Sequence, residues 1–492
     1  MPPLRSGRLV TVPTPPPLPS APRMGTAFGS LALLVGLAAA AAISLTTPEA
    51  GILLAVPALV LGAIATWRWP AAAVTLTFLL TGTVNVLATR TPVPVHDLTD
   101  YLLAALWLGV LGAYLLGRGK RRVWLWPALL AAVLYLALTG VEALLTDPVS
   151  LGILSFRNAA WYLAAVVLVA LAPWPPRTHA RIAKGIVVVA LAVGAYSAFR
   201  WLIGAGFHET LAARAVMPGR PLAGLQFFGS FLSAFQLAAW TATAIPFCLA
   251  ILLAWDRRRW RLASLAAIAL MVLILLASDV RTGLIATGVG STVTLALFLA
   301  APPFRRERGV VLLAVGAIAL LGAGAFAVTV ATDPVRLDRY LRVLNPGDDF
   351  AYQVRLERWD QAIEEIRERP WGHGLGTVGF AARSNEEGTV GPPILDSAYL
   401  KVGLEQGFAV MMLYVLALLA VLVGLARSTL RMRDRQRATL AMGGAGALAA
   451  LMVMFYTGSH SEGTVVTGAW LLIGLGVAQV TMGWDRPTGR PF

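Results

Sequence analysis

The chain has 492 residues, 58% of them hydrophobic and 13% charged, with a mean hydropathy of +0.72. This composition excludes a soluble domain and marks a polytopic membrane protein. The single cysteine, Cys248, excludes an intramolecular disulfide and any cysteine-based metal cluster, while the net charge of +15 gains meaning only once it is sorted by position.

Residues 1–26 carry eight prolines by position 22, with Arg5, Arg8 and Arg23. The segment has no apolar face to bury and reads as a disordered cytoplasmic tail rather than a signal peptide, and Met24 is an alternative start. Apolar runs long enough to cross a bilayer follow at 27–46, 50–67, 70–88, 98–117, 123–146, 158–173, 182–204, 228–255, 262–278, 283–301, 309–330, 396–426, 439–457 and 463–483. The expected fold is all-α, with about 14 transmembrane helices (a range of 12–14) and both termini cytoplasmic. Helices 1–11 occupy 27–330, one large external loop spans 331–395, helices 12–14 occupy 396–483, and 484–492 form a second cytoplasmic tail.

Orientation follows from the basic residues. An N-terminus inside puts Lys120–Arg122, Arg177–Lys184, Arg257–Arg261, Arg305–Arg308 and Arg427–Arg437 on the cytoplasmic face. The positive charge is then topological, and no nucleic-acid partner is called for. The cations left on the external face need another reason: Arg90, Arg157, Arg200, Arg214, Arg220, Arg281, the loop arginines and Lys401.

Arg281 lies in the tight hairpin Ser278-Asp279-Val280-Arg281-Thr282, where a snorkelling residue, a local pair with Asp279 and an anion site are all open readings. The 331–395 loop contains the longest polar stretch of the chain, with 11 of the 25 acidic residues between Asp333 and Glu387. Within it, Tyr352 to Arg369 has helical periodicity. Tyr352, Leu356, Trp359, Ala362, Ile363 and Ile366 share one face, and Arg355 projects between Trp359 and Ala362. A charge on a packed face is costly unless paired, so Arg355 needs a structural carboxylate or an anionic ligand. Pro370 ends this helix, and Gly372-His373-Gly374-Leu375-Gly376 makes a tight turn in which His373 reads as a turn residue rather than a base.

Asp396-Ser397-Ala398-Tyr399-Leu400 opens the next span, with Asp396 placed as an N-cap. Glu405 falls nine residues further on, roughly 13 Å deeper along a helix. A carboxylate at that depth is a functional group or the counter-ion of a buried arginine. Glu209, His208 and the Ser459–Glu462 turn read as solvated loop residues.

In order, these motifs resemble the O-antigen ligase and polysaccharide polymerase superfamily. The resemblance rests on Ser278–Gly283 as the Ser-Arg hairpin, on Arg355 and Trp359, and on Pro370 before Gly372, Gly374 and Gly376. It continues through Phe380, Asp396–Leu400 and Glu405-Gln406-Gly407, covering roughly residues 278–410. It implies a GT-C-type membrane glycosyltransferase working at the external face of the inner or plasma membrane. The implied donor is a glycan on undecaprenyl diphosphate, the acceptor a glycan or lipid, and transfer is inverting, with no metal and no cofactor.

By the same resemblance, Arg281 and Arg355 hold the diphosphate and Asp396 is the base or orients the acceptor. Arg214, Arg220, Glu405 and Tyr399 complete the substrate-binding set, and a chain-length regulator protein is a further partner. Ligases of this family carry histidine where this chain has Asp396, which favours a polymerase, with a ligase as the alternative. The rival of another class is a transporter or lipid flippase, which would show inverted repeats and broken spans at mid-depth. No internal repeat is evident in the sequence.

Overall fold

A computed structural model describes residues 59–88, 95–116, 127–204, 206, 209–210, 227–309, 350–379, 382, 395–458 and 465–481. The described residues are helical, without a strand. In chain order the helices are α1 (Leu59–Arg68), α2 (Pro70–Ala88), α3 (Val95–Leu115), α4 (Pro127–Leu145), α5 (Val149–Ala159), α6 (Ala164–Leu171), α7 (Pro176–Ile203), α8 (Ala234–Ala254), α9 (Arg258–Ala277) and α10 (Arg281–Ala300). After the 349 boundary come α11 (Phe350–Glu368), α12 (Ala398–Gln406), α13 (Phe408–Arg431), α14 (Arg435–Thr457) and α15 (Val465–Thr481).

Eight of these helices are long and apolar enough to cross a membrane, and the bent pair Val149–Ala159 and Trp161–Leu171 makes a ninth if counted as one span. Leu59–Arg68, Pro70–Thr83 and Val465–Thr481 are shorter apolar stretches. The expected spans at 27–46 and 309–330, both tails, and 331–349 of the long loop lie outside the described residues.

Two expected spans take a different form. The run read as 158–173 begins earlier, at Val149, and bends by 42°. The run read as 396–426 is broken: Gly407 has φ +87, which stops α12 at Gln406 and starts α13 at Phe408. A hydropathy window long enough for a span averages over both breaks, although polar residues (Arg157-Asn158 and Glu405-Gln406) precede each.

The bundle has a centre and a rim. In α8 and in α14, 89% of the spanning window is buried, against 28% in α9 and in α13. The α14 sequence explains its place: Gly443, Gly444, Ala445, Gly446 and Ala447 let neighbouring backbones close in. A Cβ on Gly446 would lie 2.0 Å from Thr294 Oγ1, and one on Gly444 would lie 2.9 Å from Gly476 Cα. The rim helices instead turn Leu262, Leu265, Leu273, Leu416 and Leu419 outward, as lipid requires.

Gly290 packs on Gly446 and Ala450, and Thr294 packs on Gly446. Advancing along α10 therefore means retreating along α14, so the two helices are antiparallel. Arg281 at the start of α10 thus lies at the end of the bundle where α14 finishes near Tyr456. The opposite end is marked by Arg435.

Candidate functional site

The site is assembled at the Tyr456 end by α11, the glycine-rich turn and α12. Helix α11 begins two residues before the expected Tyr352 and ends at Glu368, where Pro370 prevents continuation. Trp359, Ala362 and Ile366 are buried with Val378, Leu395 and Leu404 in a small apolar cluster of their own. The indole of Trp359 also meets Tyr456 edge-on, with centroids 4.9 Å apart, which fixes α11 to the end of α14. Ile363, expected on this face, is 38% exposed. The buried stripe is narrower than the sequence projection because α11 lies on one short partner helix rather than in a groove.

Arg355 is half-buried at the flank of this stripe, and its Nε donates to Asp396 Oδ2 at 3.2 Å. Of the two readings open for Arg355, a carboxylate partner is the one present. The bond uses one nitrogen and one oxygen. Among the described residues, the two terminal nitrogens of Arg355 and Oδ1 of Asp396 carry no hydrogen bond. Asp396 is not the N-cap: Ser397 Oγ accepts the Leu400 N–H and closes the start of α12. Capping by Ser397 leaves the carboxylate before it free to reach α11.

The glycine turn is held against the break between α12 and α13 by its backbone. His373 N–H donates to Leu404 O at 2.7 Å, Gly374 N–H to Glu405 O at 2.9 Å, and Phe408 N–H to Pro370 O at 2.9 Å. Such close approach demands glycine. A Cβ on Gly372 would lie 2.4 Å from Glu405 O, and one on Gly407 would lie 2.4 Å from Pro370 O, both at positive φ.

Glu405 locks this strap from inside. Its Oε1 accepts the N–H of Gly376 at 3.1 Å and of Val378 at 3.3 Å, and Oε2 lies 3.4 Å from Lys401 Nζ. Both side chains are 2% exposed. The buried cation expected to need Glu405 is therefore a lysine one turn away, not an arginine, and Glu405 ends a nine-residue helix rather than lying deep in a long span. Next to it, Gln406 Nε2 donates to Thr139 Oγ1 at 3.0 Å and to Glu142 Oε2 at 2.9 Å, tying α12 to α4. The Tyr399 hydroxyl donates to Met452 O at 2.9 Å and so ties α12 to α14.

Two further cations against the charge trend, Arg157 and Arg200, also find carboxylates. Arg157 Nε lies 2.5 Å from Asp100 Oδ2. Arg200 pairs with Glu209, which also accepts from Tyr196 Oη at 2.5 Å and from the Gly206 N–H at 2.8 Å. Burial pushes the Glu209 carboxyl up, but these three donors outweigh it and hold the group below its ordinary value. Glu209 is 5% exposed and not the solvated loop residue expected. Arg281 opens α10 at this same end, after Asp279 with φ 55. Arg214 and Arg220 lie outside the described residues.

Sequence reasoning missed the pairing of Arg355 with Asp396, the break at Gly407, and the contact of Glu142 with Gln406. The Gly407 break had a signal in the run Glu405-Gln406-Gly407, polar residues followed by glycine within an apolar stretch. Glu142 likewise stood out as a lone carboxylate in the apolar run 123–146. The partner of each was beyond reach without the fold.

Residues 266–415 match the family model described as O-antigen ligase, and no curated protein matches the chain. The matched segment holds Arg281, Arg355, Asp396, Tyr399 and Glu405, which are the residues of the strap, the ion pair and the α10 start. A helical membrane bundle carrying this segment supports an O-antigen ligase-type membrane glycosyltransferase, and over residues 266–415 the chain is similar to the O-antigen ligase and polymerase superfamily.

Proposed function

We propose that the chain is a polysaccharide polymerase that transfers glycan from an undecaprenyl-diphosphate donor at the external face of the inner or plasma membrane. The observation that carries this reading is the Arg355–Asp396 pair. It joins an arginine on the packed flank of the loop helix to the carboxylate before α12, and it leaves hydrogen-bonding capacity on both members. Transfer to a lipid or protein acceptor by the same residues is the ligase alternative.

In this reading, Asp396 Oδ2 fixes the guanidinium through Nε and turns its terminal nitrogens toward the diphosphate. Arginine suits this role because it stays charged and pairs two nitrogens with two phosphate oxygens. The acceptor hydroxyl oxygen attacks the anomeric carbon, and the bond from that carbon to the phosphate oxygen breaks. The hydroxyl proton passes to Asp396 Oδ1, and the undecaprenyl diphosphate leaves with its added charge held by Arg355. Arg281 supplies a second cation to the diphosphate from the start of α10, with Arg214 and Arg220 as further donor contacts. Attack on the face of the anomeric carbon opposite the departing diphosphate inverts the anomeric configuration, and no metal is required. Glu405 and Tyr399 act behind the site, holding the strap and α12 in place.

The positive-inside pattern supports the orientation: Arg257–Arg261, Arg305–Arg308 and Arg427–Arg437 gather at the Arg435 end, leaving the Tyr456 end external. The test is transfer by the purified full-length protein from a lipid-diphosphate oligosaccharide. A ladder of products identifies a polymerase, and a single addition to another acceptor identifies a ligase. Full activity of a folded Arg355→Ala variant would sink the assignment.

A further inference from the structure

The Arg355–Asp396 pair sits before α12. At the other end of the same helix, roughly 13 Å away along its axis, is a cleft of about 400 Å³ that the proposed chemistry does not use. Its walls come from the end of α4, the start of α5 and the glycine turn: Glu142, Thr146, Asp147, His373, Gly374 and Thr377 carry its polar and backbone groups, with Leu145, Leu151 and Leu375 between them.

The polar groups converge with mixed hydrogen-bonding character. Glu142 gives one carboxylate oxygen to Gln406, and Asp147 stands exposed at the rim. Thr146 and Thr377 spend their protons on the carbonyls of Glu142 and Gly374, each bond inside its own turn, so their oxygens face the cleft as acceptors. His373 lies 3.9 Å from Glu365 on the α11 side. A Cβ on Gly374 would meet nothing within 4 Å, so this stretch of main chain is open to close approach by a ligand.

A divalent cation would need several anionic or imidazole ligands on one point, and among the described residues no three acidic, histidine or cysteine side chains group that way. A phosphate would face two carboxylates without an arginine or lysine in the lining. Neutral hydroxyl groups fit instead. Each can donate to a carboxylate or threonine oxygen and accept from an imidazole N–H, and the apolar patches between suit the C–H faces of a sugar ring.

We propose that this cleft binds the neutral hydroxyls of an oligosaccharide, through Asp147, Glu142, His373 and Thr377. It lies one α12 length from the ion pair, a distance that an oligosaccharide spans and a single sugar does not. Within the function proposed above, on which the biological use of this site rests, the ligand is the glycan acceptor. The strap then has two faces: Glu405 holds the turn from inside while Gly374 and Thr377 present it to sugar.

The test uses the full-length protein in lipid nanodiscs, titrated with neutral gluco-, galacto-, manno- and rhamno-configured trisaccharides and read by saturation-transfer NMR. At least one trisaccharide is expected to bind saturably. Asp147→Asn, conservative and at an exposed position, is expected to weaken that binding at least tenfold, and His373→Gln provides a second variant from the opposite wall. Calcium or a chelator is expected to leave binding unchanged. Binding by no trisaccharide, binding as tight as the parent's in both cleft variants, or binding that requires calcium would each overturn the proposal. Arg355→Ala separates the two readings: it is expected to bind the trisaccharide as the parent does, so its transfer activity tests the glycosyltransferase reading alone.

Discussion

Arg435 and Arg355 lie at opposite ends of the bundle and are used in opposite ways. Arg435 is saturated by the protein. Its two terminal nitrogens grip both oxygens of Glu307 at 2.8 and 2.7 Å, its Nε donates to Ala254 O at 2.7 Å, and Asp256 lies 3.1 Å away. The guanidinium also covers the Phe304 ring, and Arg261 reaches the same Glu307 at 3.8 Å. Every nitrogen of this guanidinium is engaged by the protein, and the group ties α8, α14 and the turn after α10 together. Among the described residues Arg355 makes one bond, through one nitrogen, to one carboxylate oxygen. In the proposed reading, an arginine held by its neck, with its fork left for other partners, receives the diphosphate of the donor.

This contrast is broken most severely by Arg355→Ala, which is expected to cut glycan transfer at least ~100-fold while leaving the melting temperature within error. Transfer from a lipid-diphosphate oligosaccharide and a melting curve on the same preparation read both quantities.

Next in size are the changes to the strap behind the site. Glu405→Gln removes the carboxylate paired with buried Lys401 and is expected to cost about 3–5 kcal/mol. The double variant Lys401→Met with Glu405→Gln should recover most of that loss in a denaturation series. A double variant no more stable than the single one would mean that the two backbone N–H groups on Glu405, rather than charge neutralisation, set its worth.

Gly407→Ala comes third. Its Cβ would lie 2.4 Å from Pro370 O and 2.6 Å from Trp371 C at φ +87, so strain of about 1–3 kcal/mol is expected. Because the break positions Glu405 and the turn, saccharide binding and transfer should fall together in this variant.

The smallest effect is at the Arg435 end. The hydrogen bonds from Arg435 hold Glu307 below its ordinary value against burial, with Coulombic help from Arg435 and Arg261. A carboxylate lowered in the folded state adds stability above its unfolded pKa and loses it as pH falls through the folded value. Lowering pH below the ordinary carboxylate range should therefore weaken this end, and Glu307→Gln should flatten that part of the stability profile. Transfer by the surviving folded fraction at neutral pH should be unchanged in Glu307→Gln, because this fork touches no part of the proposed site.

How much of this was legible in advance varied by the kind of interaction. Helix α11 and its anchors Trp359, Ala362 and Ile366 could be read from periodicity because they are local. The cost of leaving Arg355 unpaired on that face could be read from the same projection, but Asp396, 41 residues away, could not be named as its partner. The N-cap was off by one residue, since aspartate and serine cap equally well and only packing decided that Asp396 faces α11. Glu405 was singled out correctly as a buried carboxylate, yet its lysine partner lay one turn away on its own helix. An unbroken helix had been assumed there, which placed the group too deep.

Composition and hydropathy by themselves determined that this chain carries many helices apolar enough to cross a membrane and that one polar stretch stands apart. Those properties are sums over local segments, and lipid imposes the same rule on each segment. The tertiary structure decided which carboxylate meets which cation and where apolar runs break. These depend on helices that approach within a few ångströms from distant parts of the chain, and spacing along one helix carries no information about that approach.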